Sequence, residues 1–222
     1  MSRSGRVLLA LCFFLSGATS LVLEVAWAKQ LTYVLGNSIH ATSTVIAAFM
    51  GGLGLGSLAA GRPAFARLSP IRTYAGLQLV IGLAGFWSIP ILRATTPLFE
   101  RVYQDLDPGT ALFLLVRFLV VFPLMAGPAT LMGMSLPLVV EARRRESIEV
   151  ARNAGLFYGL NTLGAVVGTY AAGFLLIPTL GLERACMATG VIDFVVGVLL
   201  FGLARAADPA REIRADGARL EV

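Results

Sequence analysis

Glu24, Arg117 and Asp193 are ionisable side chains set within long apolar runs, and the amides Gln78 and Asn161 stand in other runs of the same kind. Ionisable groups at membrane depth are costly, so they face a bundle interior or an aqueous cavity, where a carboxylate holds a proton or a cation. Asp193 lies near the middle of its run, whereas Glu24 and Arg117 lie closer to the ends, and Arg117 is long enough to snorkel to an interface. Glu24, Asn161, Asp193 and Arg117 therefore form a candidate intramembrane polar site. Its two uses are proton or cation handling and internal hydrogen bonding that fixes helix packing, with Asn161 and Gln78 as the donors at hand.

Other chemistries find little footing. Cys12 and Cys186 both fall in apolar runs and His40 is isolated, so no Cys/His cluster has metal-ligand spacing, and the cysteines read as small hydrophobes. The run Gly51-Gly52-Leu53-Gly54-Leu55-Gly56 imitates a nucleotide-binding turn, but it sits inside an apolar segment with no strand before it. Gly52/Gly56 and Gly164/Gly168 read instead as small-xxx-small pairs, which let helix backbones approach closely in a bilayer. No catalytic, cofactor-binding or metal-ligating residue is assigned, and no cofactor is expected.

The elements that must carry these residues are transmembrane helices. The 222 residues are 57% hydrophobic and only 14% charged, with a mean hydropathy of +0.79, which excludes an ordinary soluble domain. The net charge of +5 is carried in short segments between apolar runs, as topology signals and not as a nucleic-acid patch. A hydrocarbon core of ~30 Å needs about 20 apolar helical residues. Five runs meet that need: Val7 to Ala28, Ser38 to Ala60, Thr73 to Leu92, Ala154 to Ile177 and Leu182 to Ala204. The first resembles a signal peptide at Ala26-Trp27-Ala28, but its apolar stretch is too long and it is read as a retained span. A sixth run, Thr110 to Val140, contains Pro123, Pro128 and Pro137 and is expected to be one kinked crossing. With six crossings and the N-terminus inside, thirteen basic residues fall inside and four outside, which is the positive-inside bias. Trp27, Tyr33, Trp87 and Tyr103 are expected as interfacial anchors, and Glu100 to Asp107 as a solvated acidic outer loop.

Two stretches echo one another: Leu21-Val22-Leu23-Glu24 with Leu138-Val139-Val140-Glu141, and Gly56-Ser57-Leu58-Ala59-Ala60-Gly61 with Gly168-Thr169-Tyr170-Ala171-Ala172-Gly173. In the six-span arrangement the two copies run in opposite senses, as in the inverted three-plus-three repeat within half of a major facilitator fold.

Phe14 to Ala28, Ala47 to Ser57 with Ala60-Gly61-Arg62, Leu131 to Pro137, and Tyr158 to Ala165 together resemble the membrane region of the membrane-bound, spermidine synthase-like proteins, the fused major-facilitator/spermidine synthases. The resemblance covers most of Leu11 to Leu203. It implies a membrane region that in larger relatives precedes a soluble aminopropyltransferase domain binding decarboxylated S-adenosylmethionine. Gly61 stands where facilitators usually place an Asp, which weakens a gating role.

The sequence thus reads as an all-α membrane protein of about six transmembrane helices over residues 1–204, with a short polar cytoplasmic tail over 205–222. Its expected place is the bacterial inner membrane, with both termini cytoplasmic. The expected function is a noncatalytic module that anchors or partners another protein, such as a separate polyamine aminopropyltransferase. Two rivals stand beside it: a dimerising half-size facilitator-type transporter of a small cationic solute, and an accessory subunit of a larger respiratory or photosynthetic complex. Expected partners are the lipid bilayer and either another protein or a second copy of the chain, with no nucleic acid.

Overall fold

The computed structural model describes residues 3–35, 39–62, 68–105, 111–144 and 150–206, and among them there are helices and no strands. The helices are α1 (Arg3–Leu35), α2 (Ile39–Ala60), α3 (Pro70–Ala94), α4 (Thr96–Asp105), α5 (Ala111–Arg144), α6 (Val150–Ala171) and α7 (Ile177–Ala206). A π-helical turn, Ala172–Leu176, joins the last two. Five segments are long and apolar enough to cross a membrane, the fifth being the continuous stretch Arg152–Ala206.

That fifth segment has 55 residues. A straight helix of this size would extend about 80 Å, far more than one crossing requires. It turns at Gly181, whose φ of 77° and ψ of 168° are non-helical and open to glycine alone at little cost. The turn falls between the two runs into which apolar patterning divides this part of the chain. α5, by contrast, is one helix through Pro123, Pro128 and Pro137. The acidic stretch expected as an outer loop is helical as far as Asp105, in α4, and its last two residues lie outside the described ones. α1 runs past both ends of the expected first span, reaching Arg3 and Leu35.

Three helix pairs make the closest contacts: α1 with α6, α2 with α5, and α3 with α7. Glycines set each pair. A Cβ on Gly52 would meet Ala126 and Ala129, and one on Gly56 would overlap the Thr130 carbonyl, so α2 and α5 advance in the same direction. Gly164 faces Phe14 and Ala18, Gly168 faces Ala18, and Gly17 faces Asn161, so α1 and α6 are also parallel. Gly82 packs on Gly190, Gly85 on Cys186 and Gly197 on Ala75, an antiparallel register for α3 and α7. The Arg93–Glu183 ion pair, 2.6 Å, ties the end of α3 to the start of α7 beside the Gly181 turn.

Two buried clusters fill the interior. One contains Leu23, Trp27, Phe49, Ile89 and Met125; the other contains Leu9, Phe13, Tyr74, Phe157 and Leu200. Trp27 is 0% exposed, so it is a core residue and not the interfacial anchor its position suggested. Tyr33 and Trp87 remain largely exposed, and the side chains of His40 and Tyr103 lie outside the described ones.

Candidate functional site

The main buried polar cluster is built by α1, α3 and α7. Asp193, midway along α7, is 0% exposed. Its Oδ1 accepts from the Thr19 hydroxyl at 2.6 Å and from Nε2 of Gln78 at 3.4 Å. The Ser16 hydroxyl donates to Oε1 of Gln78 at 3.3 Å. Thr19 also lies 3.1 Å from the carbonyls of Leu15 and Ser16, but its single proton goes to the shortest contact, the carboxylate. Ser16 and Thr19 are three residues apart on α1 and so share a face. Tyr74 lies one turn before Gln78 on α3, its ring edge-on to Phe13.

The cluster is not fully satisfied. Asp193 Oδ2 and the Tyr74 hydroxyl are both buried with no hydrogen-bond partner among the described residues. A buried polar atom left unpaired costs about 1–3 kcal/mol.

Glu24 belongs to a different place. It lines a cavity of about 310 Å³ between the last turns of α1 and the first of α2, together with Val25, Lys29, Leu31, Thr32, Thr42, Val45 and Ile46. Its Oε2 is buried with no hydrogen-bond partner among the described residues, and the ammonium of Lys29, which also lines the cavity, sits 5.4 Å from the centre of the Tyr33 ring. The arrangement is a carboxylate and a lysine on the wall of a largely apolar cleft, and a carboxylate so placed can receive an alkylammonium group where the lysine does not compete.

The structure therefore divides the candidate site read from sequence. Asp193 is central, and Gln78 supplies one of its donors. Asn161, the donor expected for it, instead packs against Gly17 at the α1–α6 contact. Glu24 lines its own cavity, which neither Asn161 nor Asp193 lines. The Arg117 side chain lies outside the described ones. Ser16 and Thr19 escaped sequence reasoning because hydroxyls on apolar helices commonly bond to their own backbone carbonyls. Their spacing at i and i+3 within an otherwise apolar stretch was the available signal.

The chain is 30% identical over 200 residues to polyamine aminopropyltransferase 1 of Streptomyces coelicolor, a match spanning 90% of this chain and 34% of that protein. It is 29% identical over 204 residues to the polyamine aminopropyltransferase of Corynebacterium efficiens, covering 90% of this chain and 36% of the relative. Polyamine aminopropyltransferase 2 of Streptomyces coelicolor is 31% identical over 207 residues, covering 90% and 35%. The chain spans about a third of the length of these relatives. No family model matches it, and no solved structure does.

These relatives overturn the expected function. Nearly all of the chain is similar to proteins named as enzymes, so the noncatalytic anchoring module, and the transporter and accessory subunit set beside it, give way to an enzyme reading. The relatives have about two thirds of their length outside the aligned part.

Proposed function

We propose that the chain is the membrane-embedded helical part of a polyamine aminopropyltransferase and works in the transfer of an aminopropyl group to an amine acceptor. The observation that carries this reading is similarity across 90% of the chain, at about 30% identity, to proteins bearing that name. The membrane placement draws on the five long apolar segments and on outward aliphatic side chains such as Leu11, Leu83, Val166 and Val198.

In this reading the chain crosses a bacterial inner membrane six times, with α1, α2, α3, α5, α6 and α7 as the spans and both termini cytoplasmic. The turn at Gly181 supports counting Arg152–Ala206 as two crossings. Alternating crossings also require α1 parallel to α6, α2 parallel to α5 and α3 antiparallel to α7, and the glycine registers have those senses. The inverted repeat draws on the same pairs. Exchanging α1 with α5, α2 with α6 and α3 with α7 converts the α1–α6 pair into α5–α2 and returns α3–α7 to itself. Within this arrangement the Glu24 cavity is the site suited to an amine, and the Asp193 cluster is an internal polar junction of the bundle.

The test compares membranes from cells that carry the gene in its native setting, cells in which it is deleted, and deleted cells with it restored. Transfer of a labelled aminopropyl group to putrescine is expected to be lost on deletion and to return with the gene. Equal transfer in all three would reject the reading.

A further inference from the structure

Asp193 stands where two helices meet backbone to backbone. One turn away on α7, a Cβ added at Gly190 would come within 2.6 Å of the Gly82 carbonyl of α3, and a Cβ added at Gly82 would lie 3.5 Å from Cβ of Asp193 itself. Gly82 is one turn beyond Gln78, so the carboxyl group, its amide donor and the close approach of α3 to α7 form one joint.

The hydrogen bonds at this joint run in one direction. Ser16 donates to Oε1 of Gln78, Nε2 of Gln78 donates to Asp193, and Thr19 donates to Asp193 as well. Both donors end on Oδ1, while Oδ2 is buried and receives no bond among the described residues. An ionised carboxylate spreads its charge over two oxygens and calls for donors on both. A neutral acid has one oxygen that only accepts and one that carries the proton. The asymmetry around Asp193 is that of the neutral acid, and the 2.6 Å bond from Thr19 fits a carbonyl acceptor in a low-dielectric interior, where hydrogen bonds strengthen.

No basic side chain of the neighbouring helices stands at this level. α7 packs chiefly on α3, α1 and the π-helical turn. The titratable side chains facing this region are the Cys12 thiol of α1 and the Tyr74 phenol of α3, both uncharged at neutral pH, and the π-helical turn carries none. Arg72 is exposed and about 9 Å along α3 from Gln78, and Lys29 is about 15 Å along α1 from Thr19. Arg93 is paired with Glu183 near the Gly181 turn, and Glu24 lines its own cavity against α2. Arg184 and Arg205 are about 13 and 18 Å from Asp193 along α7. A bare carboxylate so placed costs more than the unpaired hydroxyl a proton would leave, so the group takes up a proton. A metal cation fits less well, because hard cations take about six oxygen ligands, whereas Oδ1 of Asp193 and Oε1 of Gln78 are already engaged by donors.

We propose that Asp193 is a proton-binding site, held in the folded bundle as a neutral carboxylic acid with Oδ1 accepting from Thr19 and Gln78 and the proton on Oδ2. The step is the addition of one proton from solvent to Oδ2, with no other bond broken and no redox partner. Loss of that proton sets a charge into the α3–α7 joint, so rising pH loosens α7 from α3 and α1. Folding at neutral pH takes up a proton at this position, and the stability of the bundle falls as pH rises. The site is separate from the Glu24 cavity and stands whether or not the chain serves aminopropyl transfer.

The test is infrared spectroscopy of the full chain in nanodiscs, made with aspartate labelled with carbon-13 at its side-chain carboxyl. The label moves aspartate bands away from those of glutamate, Glu24 included. Of the five aspartates, Asp105, Asp107, Asp208 and Asp216 lie outside the apolar runs and Asp193 lies within one. At neutral pH the parent is expected to show the carbonyl band of a protonated acid that shifts with the label, and Asp193→Asn is expected to lose it. The parent spectrum decides by itself should the variant fail to fold: absence of a label-sensitive acid band would overturn the proposal, as would its survival in Asp193→Asn. Unfolding by a denaturing detergent gives a second reading. Relative to Asp193→Asn, whose amide keeps the acceptor oxygen, the parent is expected to lose stability from mildly acidic to mildly alkaline pH; a constant or growing margin would overturn the proposal. Sodium exchanged for choline at fixed ionic strength is expected to leave the band in place, and its loss in sodium would make the site one for a metal cation and overturn the proton assignment.

Discussion

The Asp193 carboxylate is held by one short bond from Thr19 and one long one from Gln78, and one of its oxygens is left over. Thr19→Val should therefore lower stability by about 0.5–2 kcal/mol, and the loss should shrink when Asp193 is already Asn, because paired polar groups within bundles couple at this scale. Unfolding of the four chains of this double-mutant cycle by a denaturing detergent measures it. Tyr74→Phe should have the opposite character. It removes a buried hydroxyl that has no hydrogen-bond partner among the described residues and keeps the ring against Phe13, so stability should hold or rise. If the Glu24 cavity takes the amine acceptor as proposed, Glu24→Gln should raise the KM for that amine about tenfold or more with little change in kcat, since a charge-assisted contact is exchanged for a neutral one. Some of this was legible in the sequence. Asp193, Glu24 and Gln78 stand out because they interrupt apolar runs, but which of them meet depends on helix rotation and pairing. A lone sequence carries neither, and for that reason Asn161 was matched to Asp193 when it packs against Gly17.

At the scale of elements, the glycines decide where two helices touch. Gly56→Leu and Gly164→Leu should each disrupt folding, because a Cβ at these positions already overlaps the carbonyls of Thr130 and Phe14. Gly54→Ala and Gly159→Ala meet nothing within 4 Å and should fold normally or gain slightly from better helix propensity. Monodispersity after detergent extraction separates the two classes. The i, i+4 glycine pairs are visible in the sequence, as is the division of the last apolar stretch that the structure makes at Gly181. The partner helix is not visible, because a small residue specifies a close approach without specifying to what. The extent of α1 and the helical course of Thr96–Asp105 were also hidden, since helices continue into polar flanks once packing supports them.

For the whole molecule, two parallel helix pairs and one antiparallel pair give a bundle whose two ends differ in chemistry. One end carries Arg3, Arg6, Arg143 and Arg152 around one cavity; the Glu24 cavity lies at the far end of α1, and the Asp193 cluster lies between them along the bundle. If the six-crossing account holds, single cysteines placed in 63–71 and 147–153 should react only with a probe on the cytoplasmic side, and those in 103–109 only from outside. Labelling of 147–153 from outside would overturn the count of six crossings. The central claim, that this helical bundle is part of a polyamine aminopropyltransferase in a membrane, is tested most directly by fractionation of the native protein. An affinity tag on this chain should bring aminopropyl transfer to putrescine out of the membrane fraction, and activity and chain should elute together in one detergent-solubilised peak. Transfer activity that stays in the soluble fraction, while the tagged chain is recovered intact from membranes without it, would contradict the account.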